Sequence, residues 1–136
     1  MSYDLIIFDP DNAPNNLADF MKWNDKQEDL LAADIDQENP NITAVKLRQW
    51  FFEIIKDIIP LSGPYSNAEK EDYIEGQDDE RGADYFIGEH AIYAMFSMDE
   101  VAKPTKQMLQ MAKKHKVGFC DFNSSDDYIF YPKKLI

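Results

Sequence analysis

The chain has 136 residues, 44% of them hydrophobic and 13% aromatic, which fits one folded domain spanning residues 1–136 and excludes the low-hydrophobicity signature of a disordered chain. Its 26 acidic and 14 Lys or Arg residues leave a net charge of −12. A charge of that sign opposes nucleic acid and anionic membrane, and favours attraction to a basic surface. The only cysteine, Cys120, excludes an intrachain disulfide and a four-cysteine zinc site.

The opening Tyr3-Asp4-Leu5-Ile6-Ile7-Phe8 reads as a strand covered on both faces, ended by the turn residues Asp9-Pro10-Asp11-Asn12. The N-terminus has no basic region and only a short apolar run, and no stretch approaches the length of a membrane span. The expectation is a reduced, soluble, cytoplasmic protein. Leu17, Phe20 and Met21 fall on one face of a short helix over residues 14–23. Residues 24–41 are polar and acidic, with a further helical turn expected near Leu30-Leu31.

A second helix starts after Pro40 and Thr43, with Leu47, Phe51, Ile54, Ile55 and Ile58 recurring at helical spacing until Pro60 stops it. Trp50, Phe52 and Ile59 broaden this apolar stripe, which reads as a core helix on a sheet. Residues 60–84 form a long irregular connection. Strands 84–87 and 90–96 follow, joined at Gly88-Glu89 as a hairpin. Ser97-Met98-Asp99-Glu100 has the spacing of a capping box, and the helix it starts ends in Lys113-Lys114-His115-Lys116, with Pro104 expected to kink it or set apart its first turn. Residues 117–122, which hold Cys120 as a small apolar filler, and residues 128–131 close the chain as two strands. The fold class is therefore α+β: a single mixed or antiparallel sheet with helices packed on it, in the order β-α-α-β-β-α-β-β.

A hydrophobic strand ending in Asp9-Pro10-Asp11 resembles the start of haloacid-dehalogenase-type phosphotransferases, which implies a small Mg-dependent hydrolase using Asp9 and Asp11. The Gly-Thr pair usual after that motif is Asn12-Ala13 here, and a strand capped by an Asx-Pro turn accounts for the same residues. His90 and His115 lack metal-ligand spacing, there is no nucleophile elbow or phosphate-binding glycine loop, and neither a metal nor a cofactor is expected.

Residues 69–84 stand apart, with eight acids against Lys70 and Arg81, a net −6 in sixteen residues. Acids beside tyrosines offer steering charge together with aromatic anchors. The candidate partner-binding set is Tyr65, Glu71, Asp72, Tyr73, Glu75, Asp78, Asp79, Glu80 and Asp84. Bases instead gather late, at Lys103, Lys106, Lys113, Lys114, Lys116, Lys133 and Lys134, so the field should be polarised and the last helix should face away from a cationic partner.

The start Met-Ser-Tyr-Asp-Leu, the segment Ala-Ile-Tyr-Ala-Met-Phe-Ser-Met-Asp-Glu ending at Glu100, and Ala-Lys-Lys-His-Lys-Val-Gly-Phe-Cys-Asp-Phe ending at Phe122 resemble a group of small bacterial proteins. Some of that group are similar to immunity proteins of polymorphic or contact-delivered toxins. The resemblance implies a cytoplasmic protein, not an enzyme, that binds and neutralises a cognate toxin domain. A basic toxin would suit an acidic immunity protein. A housekeeping or regulatory protein-binding module is the alternative expectation.

Overall fold

A computed structural model describes residues 3–14, 16–33, 39–61, 65, 82–96, 102–121 and 128–130. In chain order these form β1 (Tyr3–Phe8), α1 (Leu17–Ala33), a single 3-10 turn (Pro40–Ile42), α2 (Val45–Ile54), β2 (Ile59–Pro60), β3 (Gly82–Ile87), β4 (Ala91–Phe96), α3 (Ala102–His115), β5 (Gly118–Asp121) and β6 (Tyr128–Phe130). The strands make one sheet in the order β2-β3-β4-β1-β5-β6. Only β2 and β3 are parallel; the remaining neighbours are antiparallel. The α+β class and the sequence of principal elements agree with the residue pattern.

β1 lies at the centre, between β4 and β5, because its apolar residues serve both faces. Leu5 and Ile7 point to one side, opposite Ala94, Ile92 and Phe119 in register, and belong to the main core with Trp50, Phe51, Met108 and Ala112 of α2 and α3. Ile6 and Phe8 point to the other, joining Ala91, Cys120 and Phe20 of α1. The sheet is thus a partition: α2 and α3 cover one face, α1 covers part of the other. Cys120 is buried in this second cluster.

Local chemistry sets the helix ends. Asn16 accepts the Asp19 amide at 2.9 Å and returns its own amide to the Asp19 carboxylate at 2.9 Å, which starts α1 at Leu17 rather than near Pro14. α1 then runs to Ala33, well beyond the short helix expected over 14–23. Its middle looked too polar for a helix that packs on a sheet, but Asn24 is buried and spends its amide on that packing, while Asp25, Lys26 and Asp29 face solvent.

α2 is shorter than its apolar run. It begins at Val45, with the Ala44 amide bonded to the Glu89 carbonyl at 3.0 Å, and its last residue is Ile54. Ile58 stays buried beyond the helix, and Ile59–Pro60 pairs with Gly82–Ala83 as an unforeseen edge strand, at the sheet's rim where proline costs no ladder bond. Pro104 falls within the first turn of α3, where a backbone N–H would have no helical acceptor anyway. The candidate capping box at 97–100 lies outside the described residues.

α3 ends in a Schellman arrangement: the Val117 amide reaches the Ala112 carbonyl at 3.0 Å and the Lys116 amide reaches that of Lys113 at 3.4 Å. Lys116 occupies the left-handed position, with φ of 57°. The chain can then turn at once into β5. There Gly118 is required, because a Cβ at that position would overlap the Phe8 ring.

Candidate functional site

Of the nine residues in the candidate partner-binding set, Tyr65 and Asp84 fall among the described residues; Glu71, Asp72, Tyr73, Glu75, Asp78, Asp79 and Glu80 lie outside them. Tyr65 rests on α2, with its ring 5.9 Å from Phe51 and 5.4 Å from Phe52, both edge-on. Phe51 continues the stack to Tyr85 at 5.4 Å, whose hydroxyl donates to the Ile58 carbonyl at 2.8 Å. Burial pushes the Tyr85 hydroxyl's pKa well up, so it stays a donor.

Tyr65 is 40% and Phe52 is 36% exposed. This is a correction to the reading of Phe52 as core. Leu47, Phe51 and Ile54 recur at helical spacing and take the inward face, and Phe52 lies off that spacing, which was the signal available. The result is an exposed aromatic pair held by a buried aromatic row, at the point where the chain enters its most acidic stretch.

Asp84 is elsewhere. In β3 it alternates with Tyr85, which belongs to the α2 side, and pairs in register with Met95, whose other neighbour is Asp4 of β1. The fold therefore puts Tyr65 and Asp84 on opposite faces of the sheet.

A second acidic locus lies on the same face of the sheet as Asp84. Tyr93 of β4 donates its hydroxyl to Asn24 Oδ1 at 2.6 Å, and Asn24 in turn bonds the Glu28 carboxylate. Burial raises the pKa of Glu28, and the negative charges of Asp25, Asp29 and Asp4 raise it further, against the lowering effect of the Asn24 bond. Burial, with Glu28 nearby, likewise raises the Tyr93 pKa. Carboxylates that disfavour one another's charge in this way mark a region of negative potential.

The sheet separates it from a layer of opposite sign. Residues 102–116 carry Lys103, Lys106, Lys113, Lys114 and Lys116 and no acid, a net +5 in a chain of −12. One carboxylate from α2 answers them: Glu53 takes hydrogen bonds from Lys114 Nζ and from His115 Nε2, the latter at 2.6 Å, and these hold its pKa below the usual carboxylate range. Lys133 and Lys134 lie outside the described residues.

At Asp9 the geometry matches the turn. Oδ1 accepts the Asp11 amide at 3.0 Å, the Asp9 carbonyl accepts Asn12 and Ala13, and Oδ2 lies 3.3 Å from His90 Nδ1. Asn12 is in turn held by Trp23 Nε1 at 2.9 Å. Both Asp9 oxygens thus face partners within the fold, and Asp11 is exposed. Among the described residues, no group of three or more His, Cys, Asp or Glu side chains could hold a metal ion, and no helix is long and apolar enough to cross a membrane.

Compared with protein-family models, curated proteins and solved structures, the chain matches none.

Proposed function

We propose that this chain is an acidic protein-binding module whose partner is a basic bacterial toxin domain, which it neutralises as an immunity protein. The observation that carries the reading is the exposed Phe52–Tyr65 pair, propped on buried Phe51 and continuous in sequence with the acidic stretch 69–84. Aromatic rings held rigid by their neighbours lose little entropy on binding, which is why such residues dominate interface energetics. Carboxylates of the stretch that follows Tyr65 in sequence would draw a cationic partner in and favour one orientation. Steering of this kind raises association rates by about 10-fold to 1000-fold at low salt. The residue pattern resembling immunity proteins of contact-delivered toxins supports the same assignment.

The test is co-expression with a toxin domain encoded beside this chain. Rescue of the host, with a complex that survives purification at micromolar concentration, is the expected result. Tyr65→Ala should weaken the complex by about 1–3 kcal/mol, the range of an aromatic anchor. No complex at micromolar concentration would overturn the proposal. A complex with some other protein, without rescue, would favour a housekeeping or regulatory module.

A further inference from the structure

The face of the sheet that carries α1 is only partly filled. Register lines up Asp84, Met95 and Asp4 in one row across β3, β4 and β1, and Phe86, Tyr93 and Ile6 in the next. Ile6 belongs to the cluster under α1, so alternation sets both rows on that face. The rows lie about 7 Å apart and neighbouring strands about 4.8 Å apart. Ile6 is buried there, whereas Phe86 and Met95 stay half-buried and, among the described residues, join neither hydrophobic cluster.

Where α1 lies explains the difference. Phe20 and Trp23 reach Phe8 of β1, with ring centres 4.9 and 6.1 Å away, and Asn24 meets Tyr93 of β4. A helix with its side chains is about 10–12 Å across, the width of about two strands, so α1 sits over β1 and β4 and its footprint ends short of β3. Met21, Asn24, Asp25 and Glu28 are three, four and seven residues apart from the first, which makes them one flank of the helix. The Asn24 bond to Tyr93 turns that flank toward β4 and β3. Met21 is 40% exposed on it, and Asp25 and Glu28 are exposed too.

This flank carries electrostatic stress. The charges that act on Glu28 come from Asp25, Asp29 and Asp4, all of its own sign. A cation placed against them would relieve a repulsion that the folded chain already bears.

We infer that the β3–β4 part of this face docks a cationic amphipathic helix of a partner protein, its apolar side on Phe86 and Met95 and its lysine or arginine side against Asp25 and Glu28. Packed helices stand about 8–10 Å apart, which sets such a helix beside α1 and over β3, as the next member of the same layer. Charge decides the occupant. An acidic helix would add to the repulsion at Glu28, and a nucleic acid would do so along its whole length. Phe52 and Tyr65, which rest with α2 on the opposite face, take no part.

Full-length protein labelled at its methionine methyls is titrated at 50 mM salt with three probes. These are an 18-residue helical peptide with a leucine stripe and lysine flanks, the same peptide with glutamates for the lysines, and spermidine, a polycation without an apolar side. The lysine peptide should bind at least tenfold tighter than the glutamate peptide and shift the Met21 and Met95 methyls. Met108, buried against Trp50 in the main core, should hold still. The double change Asp25→Lys, Glu28→Lys, on exposed side chains, should weaken the lysine peptide at least tenfold. Phe86→Ala should weaken it at least fivefold, with Met95→Ala in its place where that variant fails to fold, and Phe52→Ala should leave it within twofold. Unmoved Met21 and Met95 methyls, equal affinity for the two peptides, or loss of binding in Phe52→Ala would overturn the inference. So would spermidine producing the same shifts at the same affinity, or a homodimer, seen by sedimentation, that covers these two methionines. The toxin-binding proposal is read from other variants and another probe, so either can fail alone.

Discussion

Tyr93→Phe removes one oxygen, and its effect follows from where that oxygen points. The Tyr93 hydroxyl donates to Asn24 Oδ1 at 2.6 Å, and Asn24 is 5% exposed in the seam between α1 and the sheet. Without the hydroxyl, Oδ1 is left in that seam with its donor gone, and stranding a buried polar atom costs about 1–3 kcal/mol. At this chain length the unfolding entropy makes each kcal/mol worth about 3–4 °C, so the melting temperature should fall by about 3–12 °C. Asn24→Ala should cost a similar amount. The double variant should be less damaging than the sum of the two, by about 1–2 kcal/mol, because the second change removes the atom stranded by the first. Chemical denaturation of the four proteins, monitored by circular dichroism, closes the cycle. Coupling below about 0.3 kcal/mol would refute the view that this bond clamps α1 to β4.

The other predictions concern packing and charge. Gly118→Ala should destabilise the fold by about 1–3 kcal/mol, the usual range for overpacking, since the added methyl meets the Phe8 ring; equilibrium unfolding measures it. Glu28 has a raised pKa in the fold, so the folded chain takes up a proton more readily than the unfolded chain, and stability falls as pH rises from the unfolded value through the folded one. Glu28→Gln should therefore raise the melting temperature at pH 7 and lose that advantage below the unfolded value of about 4.3. Glu53 behaves in the opposite sense. Its lowered pKa contributes stability above the unfolded value, which is lost as pH falls through the folded one, so Glu53→Gln should lower the melting temperature at pH 7 and converge on the parent in acid.

Much of the architecture was legible in short patterns. The run Leu5 to Phe8 announces a strand buried on both faces, and β1 lies between β4 and β5 with residues in the clusters on both faces of the sheet. The β3–β4 hairpin was readable from Gly88, whose amide bonds the Ala91 carbonyl at 2.8 Å. The second half of α1 was not, because its one buried polar residue, Asn24, is satisfied by Tyr93, a partner far away in sequence. β2 was hidden for a similar reason. Pro60 reads as a helix stop, and nothing local says that the two residues there pair with Gly82 and Ala83.

The candidate site divides in the same way. Composition located the acidic stretch and the lysines, both of which are one-dimensional facts. Spatial relations were out of reach: Asp84 alternates away from Tyr65's side of the sheet, and Phe52 leaves the core to pair with Tyr65. Which ring of a continuous aromatic run is exposed depends on helix phase and on where neighbouring elements sit, and Phe51 and Phe52 are separated by that alone.

The association rate with a toxin domain encoded beside this chain, measured by stopped flow across salt concentrations, tests the central claim most directly. Reversing Glu71, Asp72, Asp78, Asp79 and Glu80 to lysine should slow association at least tenfold at low salt, with the difference shrinking as salt screens the field. Parent and reversed proteins associating at the same rate at low salt, or no association at micromolar concentration, would contradict it.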